Sequence, residues 1–99
     1  MAVTTTTAIA SGTTAATSSD ITVDAGSSIQ VWTDIPLAEG ESVSVYRTDD
    51  GGTEEVRVRE AGLYVMLTKY KSFVALNGPA TFRLKRSVVA TATAVLYDA

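Results

Sequence analysis

The sequence predicts an all-β protein, and two patterns along the chain carry that prediction. After residue 20, apolar and polar residues alternate with a period of two through most segments, as in half-buried strands. Clusters of Gly, Pro, Asp and Asn separate these segments. No window shows the i, i+3, i+4, i+7 spacing of a surface helix. We expect a single-domain, jelly-roll-like β-sandwich of about eight antiparallel strands, with an immunoglobulin-like sandwich or a small barrel as alternatives.

The first nineteen residues differ in composition from the rest of the chain. Residues 1–19 contain no charged side chain and seven threonines. Such a segment buries too little apolar surface to offset its ordering entropy alone, while the β-branch of Thr favours extended backbone. We therefore expect an extended N-terminal arm at 1–19 and a β-sandwich domain at 20–99. Removing residues 1–11 should then leave the strand content intact and weaken assembly.

The strands of the predicted domain can be placed individually. The clearest hairpin turn is Asp49-Asp50-Gly51-Gly52, because Asp and Gly tolerate the positive φ of tight hairpins. Residues 63–68 form a nearly continuous apolar run, which favours a central strand. Phe73 and Phe82 are expected in the core. The expected strands lie at 20–24, 29–35, 42–46, 55–59, 63–68, 73–76, 81–85 and 91–97.

Composition narrows the possible functions. The 99 residues suffice for one domain and include neither cysteine nor histidine. Disulfides, thiolate metal sites and histidine-based nucleophilic catalysis are therefore excluded. No phosphate-loop or dinucleotide motif is present, and the acidic residues fall mostly in turns and on polar strand faces. We expect a protein that is not an enzyme and that carries no cofactor.

The chain also lacks the usual sequence signals for membrane insertion or secretion. No apolar run approaches the ~20 residues needed to span a bilayer. The start lacks the basic region and apolar core of a secretory leader. We expect a protein that is made in a cytoplasm, stays soluble and does not associate with membranes.

The charges are distributed unevenly along the chain. The net charge of −3 argues against nucleic-acid binding. Residues 1–56 contain nine acidic residues and one basic residue, whereas residues 57–99 contain two acidic and seven basic residues. Either strands from the two halves interleave and neutralise each other, or the molecule has one acidic and one basic face. The interleaved arrangement is the favoured interpretation.

Three groups of residues are candidate binding sites. The acidic turn at 49–52, followed by Glu54 and Glu55, has the oxygen ligands that calcium prefers, but its spacing favours a solvated hairpin. Basic and aromatic residues around 69–73 and 82–86 could follow a single-stranded nucleic acid, although a basic strand face against an acidic protein surface is favoured. Trp32 and Tyr46 lie opposite the Val and Ile positions of their strands, and they either pack there or anchor an interface.

A resemblance to a known class of protein emerges from these features. The uncharged Thr/Ala/Ser-rich start, the alternating strands and residues 77–84 (Asn-Gly-Pro-Ala-Thr-Phe-Arg-Leu) resemble small bacteriophage virion proteins of the capsid decoration, or cement, type. The resemblance implies a β-sandwich or jelly roll, binding to a capsid lattice, and homo-oligomers on symmetry axes. It implies no catalytic role for the motif.

We therefore expect a virion structural protein on the capsid surface that binds the major capsid protein or another virion protein and forms a dimer or trimer. Alternatives are another virion component (tail, connector or fibre) and a carbohydrate- or receptor-binding module with Trp32 and Tyr46 as its platform. An extended arm can add backbone hydrogen bonds to a sheet edge, and Trp and Arg are common interface anchors. The expected contact residues are Val3, Thr4, Thr5, Thr6, Thr7, Ile9, Trp32, Arg83, Lys85 and Arg86.

Overall fold

A computed structural model describes residues 4–48 and 54–99 of the chain. All regular structure in these residues is β, as predicted, and none of them lies in a helix that could cross a membrane. The strands are β1 (Thr5–Gly12), β2 (Ala16–Thr17), β3 (Ile21–Val23), β4 (Ser28–Thr33), β5 (Val43–Thr48), β6 (Glu55–Arg57), β7 (Arg59–Glu60), β8 (Leu63–Tyr64), β9 (Met66–Leu67), β10 (Phe73–Asn77), β11 (Ala80–Arg86) and β12 (Thr93–Asp98). The predicted hairpin turn at 49–52 lies outside the described residues.

The strands form two main antiparallel sheets. Sheet A has the strand order β1-β12-β4-β10. Sheet B has the order β2-β11-β5-β6, with β3 also pairing with β11 and β9 with β5. β7 and β8 form a separate hairpin. Neighbours in sheet A are distant in sequence, so the sheet depends on long-range pairing.

Both sheets contribute to one apolar core. Val31 and Val95 of sheet A and Val43, Val45 and Leu84 of sheet B are fully buried in the same cluster. Each side chain alternates with an outward-facing neighbour, because successive residues of a strand point to opposite faces. The inward positions of these strands therefore follow the period-two pattern of the sequence.

The N-terminal segment contributes strands to both sheets. β1 pairs with the last strand, β12, and β2 pairs with β11. Ile9 is 5% exposed and belongs to the core. Residues expected to form an extended arm therefore adopt the expected extended backbone, but they do so within the sheets of the same molecule.

The apolar run at 63–68 is not a central strand, and that prediction is wrong. It divides into β8, which pairs with β7, and β9, which pairs with β5. Leu63 is 74% exposed. The preceding Ala61 and Gly62 both have positive φ, and they close a tight β7–β8 hairpin that leaves Leu63 in solvent. Val65 and Leu67, later in the run, are buried in the core.

Phe73, expected in the core, and Val56 both face solvent. Phe73 is 55% exposed, because Val74 and Leu76 occupy the inward positions of β10. Val56 is 68% exposed on the short edge strand β6. Phe82 is buried, as predicted.

The motif at 77–84 carries the chain from one sheet to the other. Asn77 ends β10 in sheet A, and Ala80 begins β11 in sheet B. The Gly78 N–H donates to the Ser27 carbonyl at 3.0 Å. A β-carbon at Gly78 would collide with the backbone of Val23 and Asp24, so only glycine fits this crossing.

Candidate interaction surfaces

Among the described residues, the N-terminal strand β1 presents a free edge of sheet A. Thr4, Thr5, Thr6 and Thr7 are all exposed, whereas Ile9 is buried in the core. Thr5 donates its hydroxyl proton to the Asp98 carboxylate at 2.7 Å, which ties β1 to β12. Val3, also expected at this contact, lies outside the described residues. The threonines are therefore accessible to a partner, whereas Ile9 holds β1 in place.

A row of apolar side chains crosses the outer face of sheet A. Trp32 is the register partner of Phe73 on one side and of Leu96 on the other. Leu96 in turn pairs with Thr7 of β1. Trp32 and Leu96 are partly buried, and Phe73 is exposed. We call Leu96, Trp32 and Phe73 the apolar row.

Trp32 and Tyr46 do not form one platform. Trp32 lies in sheet A and Tyr46 in sheet B, each facing outward from the shared core. The indole Nε1 of Trp32 is buried and has no hydrogen-bond partner among the described residues. The apolar row therefore presents carbon surface, which suits protein contact better than polar recognition.

Arg83 and Lys85 lie on the outer face of sheet B within an ion-pair network. Arg83 donates to Asp20 and, at 2.7 Å, to Glu55, while Lys85 donates to Glu55 at 2.6 Å. Lys85 also lies 4.4 Å from the ring centroid of Tyr46. Hydrogen bonds from Lys85 and Arg83 lower the pKa of Glu55, and those to Asp20 and Glu55 raise the pKa of Arg83. We call Asp20, Glu55, Arg83 and Lys85 the ion-pair network.

The ion pairs join the acidic part of the chain, residues 1–56, to the basic part, residues 57–99. Each acid in the ion-pair network comes from the first half of the chain and each base from the second. Lys69 and Glu39 approach to 3.9 Å with the same division. Strand pairing thus brings opposite charges together, and the outer face of sheet B is not an uncompensated basic surface.

Arg86 does not belong to the exposed basic strip, and this part of the prediction requires correction. It is 3% exposed and shares the inward side of β11 with Phe82 and Leu84. Its guanidinium donates to the backbone carbonyls of Ala10 at 2.9 Å, Thr93 at 2.6 Å and Thr14 at 2.6 Å. Arg86 therefore joins β1, β12 and the β1–β2 connection from within.

Two arginine side chains lie against Tyr64 of the β7–β8 hairpin. The Arg57 guanidinium lies 3.8 Å from the ring centroid, and Arg59 donates to the phenol oxygen at 2.9 Å. This hydrogen bond, with the positive charges of Arg59 and then Arg57, lowers the pKa of Tyr64. The sequence does not predict this cluster, because the run at 63–68 indicates a buried strand instead of an exposed hairpin.

A groove of about 480 Å³ lies beside β10, the other edge of sheet A. Its lining includes Val65, Tyr70, Lys71 and Phe73. The Tyr70 hydroxyl donates to Glu39 at 2.7 Å, which raises the pKa of Tyr70. The groove combines aromatic and charged walls and is open to solvent.

In the part of the chain that the structure describes, no three acidic side chains lie close enough together to hold a metal ion. Glu41 instead accepts hydrogen bonds from the backbone N–H groups of Ala38 at 2.8 Å and Ala90 at 2.7 Å. These two bonds lower the pKa of Glu41 and connect the segment before β5 to the segment before β12. The candidate calcium turn at 49–52 lies outside the described residues.

Comparisons of this chain with protein-family models, with curated proteins and with solved structures find no match.

Proposed function

We propose that this chain is a non-enzymatic structural protein of a bacteriophage particle, of the decoration type, which binds and stabilises an assembled capsid. The apolar row carries the proposal: Phe73 is exposed beside the partly buried Trp32 on the outer face of sheet A. Exposed aromatic side chains that join an apolar surface are typical anchors of protein interfaces. The resemblance of residues 1–19 and 77–84 to phage virion proteins supports the capsid as partner.

We further propose that the two sheets stack as a jelly-roll sandwich. Five pairings support this: β1 with β12, β2 with β11, β3 with β11, β4 with β10, and β5 with β6. Early strands pair with late ones in nested order, as in a long hairpin that has been rolled up. Double-sheet jelly rolls are common in viral capsid domains and lectins.

The proposed mechanism is multivalent attachment. A cement protein bridges neighbouring coat subunits, and linked weak contacts gain strength from their high effective concentration. The apolar row would supply the contact with the coat protein. The ion-pair network faces outward from the opposite sheet, where its charges compensate one another. The protein would thus reside on the capsid surface, with neither a cofactor nor nucleic acid as partner.

Co-sedimentation with purified phage shells tests this proposal. Phe73→Gln removes the exposed aromatic anchor, and we expect the bound fraction to fall at least about tenfold, the effect of a modest interface anchor. Val88→Gln is the matched control, because Val88 is also exposed but lies outside the sheets. Both variants should retain the wild-type circular dichroism spectrum.

Three other outcomes would oppose the proposal in different ways. Equal shell binding by Phe73→Gln and Val88→Gln would show that the apolar row is not part of the contact with the capsid. Binding to tails but not to shells would favour a tail or connector protein. Binding to glycans but not to either particle would favour a carbohydrate-binding module with Trp32 and Phe73 side by side.

A further inference from the structure

The hydrogen-bond pattern of β1 shows which backbone groups are directed away from its sheet. Thr4 and Ala99 exchange two bonds, from the Thr4 N–H at 3.2 Å and from the Ala99 N–H at 3.0 Å. In an antiparallel pair such bonded residues alternate with non-bonded ones. The register of β1 with β12 therefore directs the N–H and C=O groups of Thr5 and Thr7 away from β12, toward the free edge.

This edge lacks three common protections against pairing. Natural edge strands are often blunted by Lys, Pro or inward-pointing charges. β1 contains none of these, and the first charged side chain after it is Asp20. Register shifts with β12 begin only after Thr7, so residues 4–7 keep a regular edge. β10, at the opposite side of sheet A, instead lies beside the groove that Lys71 and Glu60 line.

We propose that a second copy of this chain covers the β1 edge, with the two β1 strands antiparallel about a two-fold axis at Thr6. In this register Thr5 of each copy bonds to Thr7 of the other, forming four backbone hydrogen bonds. Thr6 then lies opposite Thr6 of the second copy at a non-bonded position. The two copies of sheet A become one continuous sheet of eight strands.

Charge favours a second copy as the occupant. A two-fold interface brings each surface patch against itself, so any charged side chain near the axis would approach its own copy. Like charges placed directly opposite in a sheet are destabilising, whereas Thr–Thr pairs are favourable. An edge made of Thr4, Thr5, Thr6 and Thr7 is therefore compatible with itself. The dimer goes beyond the proposed function and needs no capsid.

The absence of cysteine makes the geometry directly testable. Thr6→Cys introduces a single thiol in each chain, and non-bonded antiparallel partners have Cα atoms roughly 4.5 Å apart, within disulfide range. Ser28→Cys is the matched control, because Ser28 is also exposed in sheet A but lies on β4. We expect mild oxidation to convert Thr6→Cys to a covalent dimer at least about tenfold faster than Ser28→Cys, because a paired thiol needs no further encounter.

Solution mass provides the second test. Sedimentation of the wild-type chain should give twice the 10.4 kDa chain mass. Thr6→Lys places two ammonium groups at the axis and should weaken the dimer at least about tenfold, as close like charges do. Gln30→Lys adds the same charge on β4 and should leave the dimer unchanged.

A monomeric wild-type chain, or an oligomer in which Thr6→Cys oxidises no faster than Ser28→Cys, would overturn the proposal. Either result would leave shell binding to be judged by its own assay, so a failed dimer and a failed decoration function can be distinguished. A monomer that pairs its β1 edge only with coat protein would also overturn the self-pairing.

Discussion

Arg86 places a charged guanidinium in the interior of the molecule, with only 3% of the residue exposed. Its neighbours Arg83 and Lys85 suggested an exposed basic strip, but Arg83 and Lys85 alternate in direction with Phe82, Leu84 and Arg86. The guanidinium is buried against backbone carbonyls, including those of Ala10 and Thr93. Buried charges are stable only when such hydrogen bonds compensate for the lost hydration.

We predict that Arg86→Met lowers the free energy of unfolding by about 3 kcal/mol, because it leaves buried carbonyl groups without donors. Urea denaturation followed by circular dichroism measures this loss. Lys71→Met removes a cation from an exposed position and should change stability by less than about 0.5 kcal/mol. Similar losses in the two variants would contradict the structural role of Arg86.

At the scale of elements, carboxylates connect segments that are remote in sequence. Glu55 on β6 bonds to Arg83 and Lys85 on β11, two strands away across β5. Glu41 connects the segments that precede β5 and β12. In both cases hydrogen bonds to the ionised carboxylate lower its pKa.

The lowered pKa values of Glu41 and Glu55 predict that the folded state becomes less stable in acid. The unfolded chain takes up protons near the ordinary carboxyl pKa of 4.5, whereas the folded chain takes them up only at lower pH. The stabilisation is therefore present above pH 4.5 and is lost as the pH falls below it, through the folded pKa values. Urea midpoints measured from about pH 7 to about pH 3 should show this decline.

Glu55→Gln and Glu41→Gln should each flatten that decline, because an amide has no proton to exchange in this range. Combining the two changes should flatten it further, since the two carboxylates occupy separate sites. An unchanged slope in the double variant would show that other groups govern acid unfolding.

At the scale of the whole molecule, the first strand joins the last. β1 covers one side of β12, Ile9 enters the core, and Ala10 accepts a hydrogen bond from Arg86. The composition of residues 1–19 predicts that residues 1–11 can be removed with little loss of strand content. The structure indicates a larger effect, because removal would leave β12 paired with β4 alone and would take Ile9 out of the core.

We predict that deleting residues 1–11 abolishes cooperative unfolding and most of the β-sheet circular dichroism signal. Ile9→Ala should give a graded loss of about 3 kcal/mol from the cavity it leaves. Ile35→Ala, at a more exposed position, should cost less than about 1 kcal/mol. A truncated chain with an intact spectrum would show that the segment is a dispensable arm.

Local alternation in the sequence determined the strand content and most of the inward positions. Ile29 with Val31, Val43 with Val45, and Phe82 with Leu84 repeat every second residue, and all are buried. The same alternation predicts that Trp32 faces outward. It also agrees with the outward position of Phe73 beside the inward Val74, and with the inward position of Arg86 two residues after Leu84. Side-chain period is a property of the extended backbone itself, so it can be read without knowing any strand's partner.

Strand pairing and the surfaces left open depend on contacts between residues that are remote in sequence. β1 pairs with β12 although the two strands lie at opposite ends of the chain, and no local sequence pattern specifies this pairing. Residues 63–68 are apolar enough for a central strand, yet the turn at Ala61 and Gly62 directs Leu63 to solvent. The free edge of β1 and the apolar row follow from this pairing, because burial depends on neighbours that are remote in sequence.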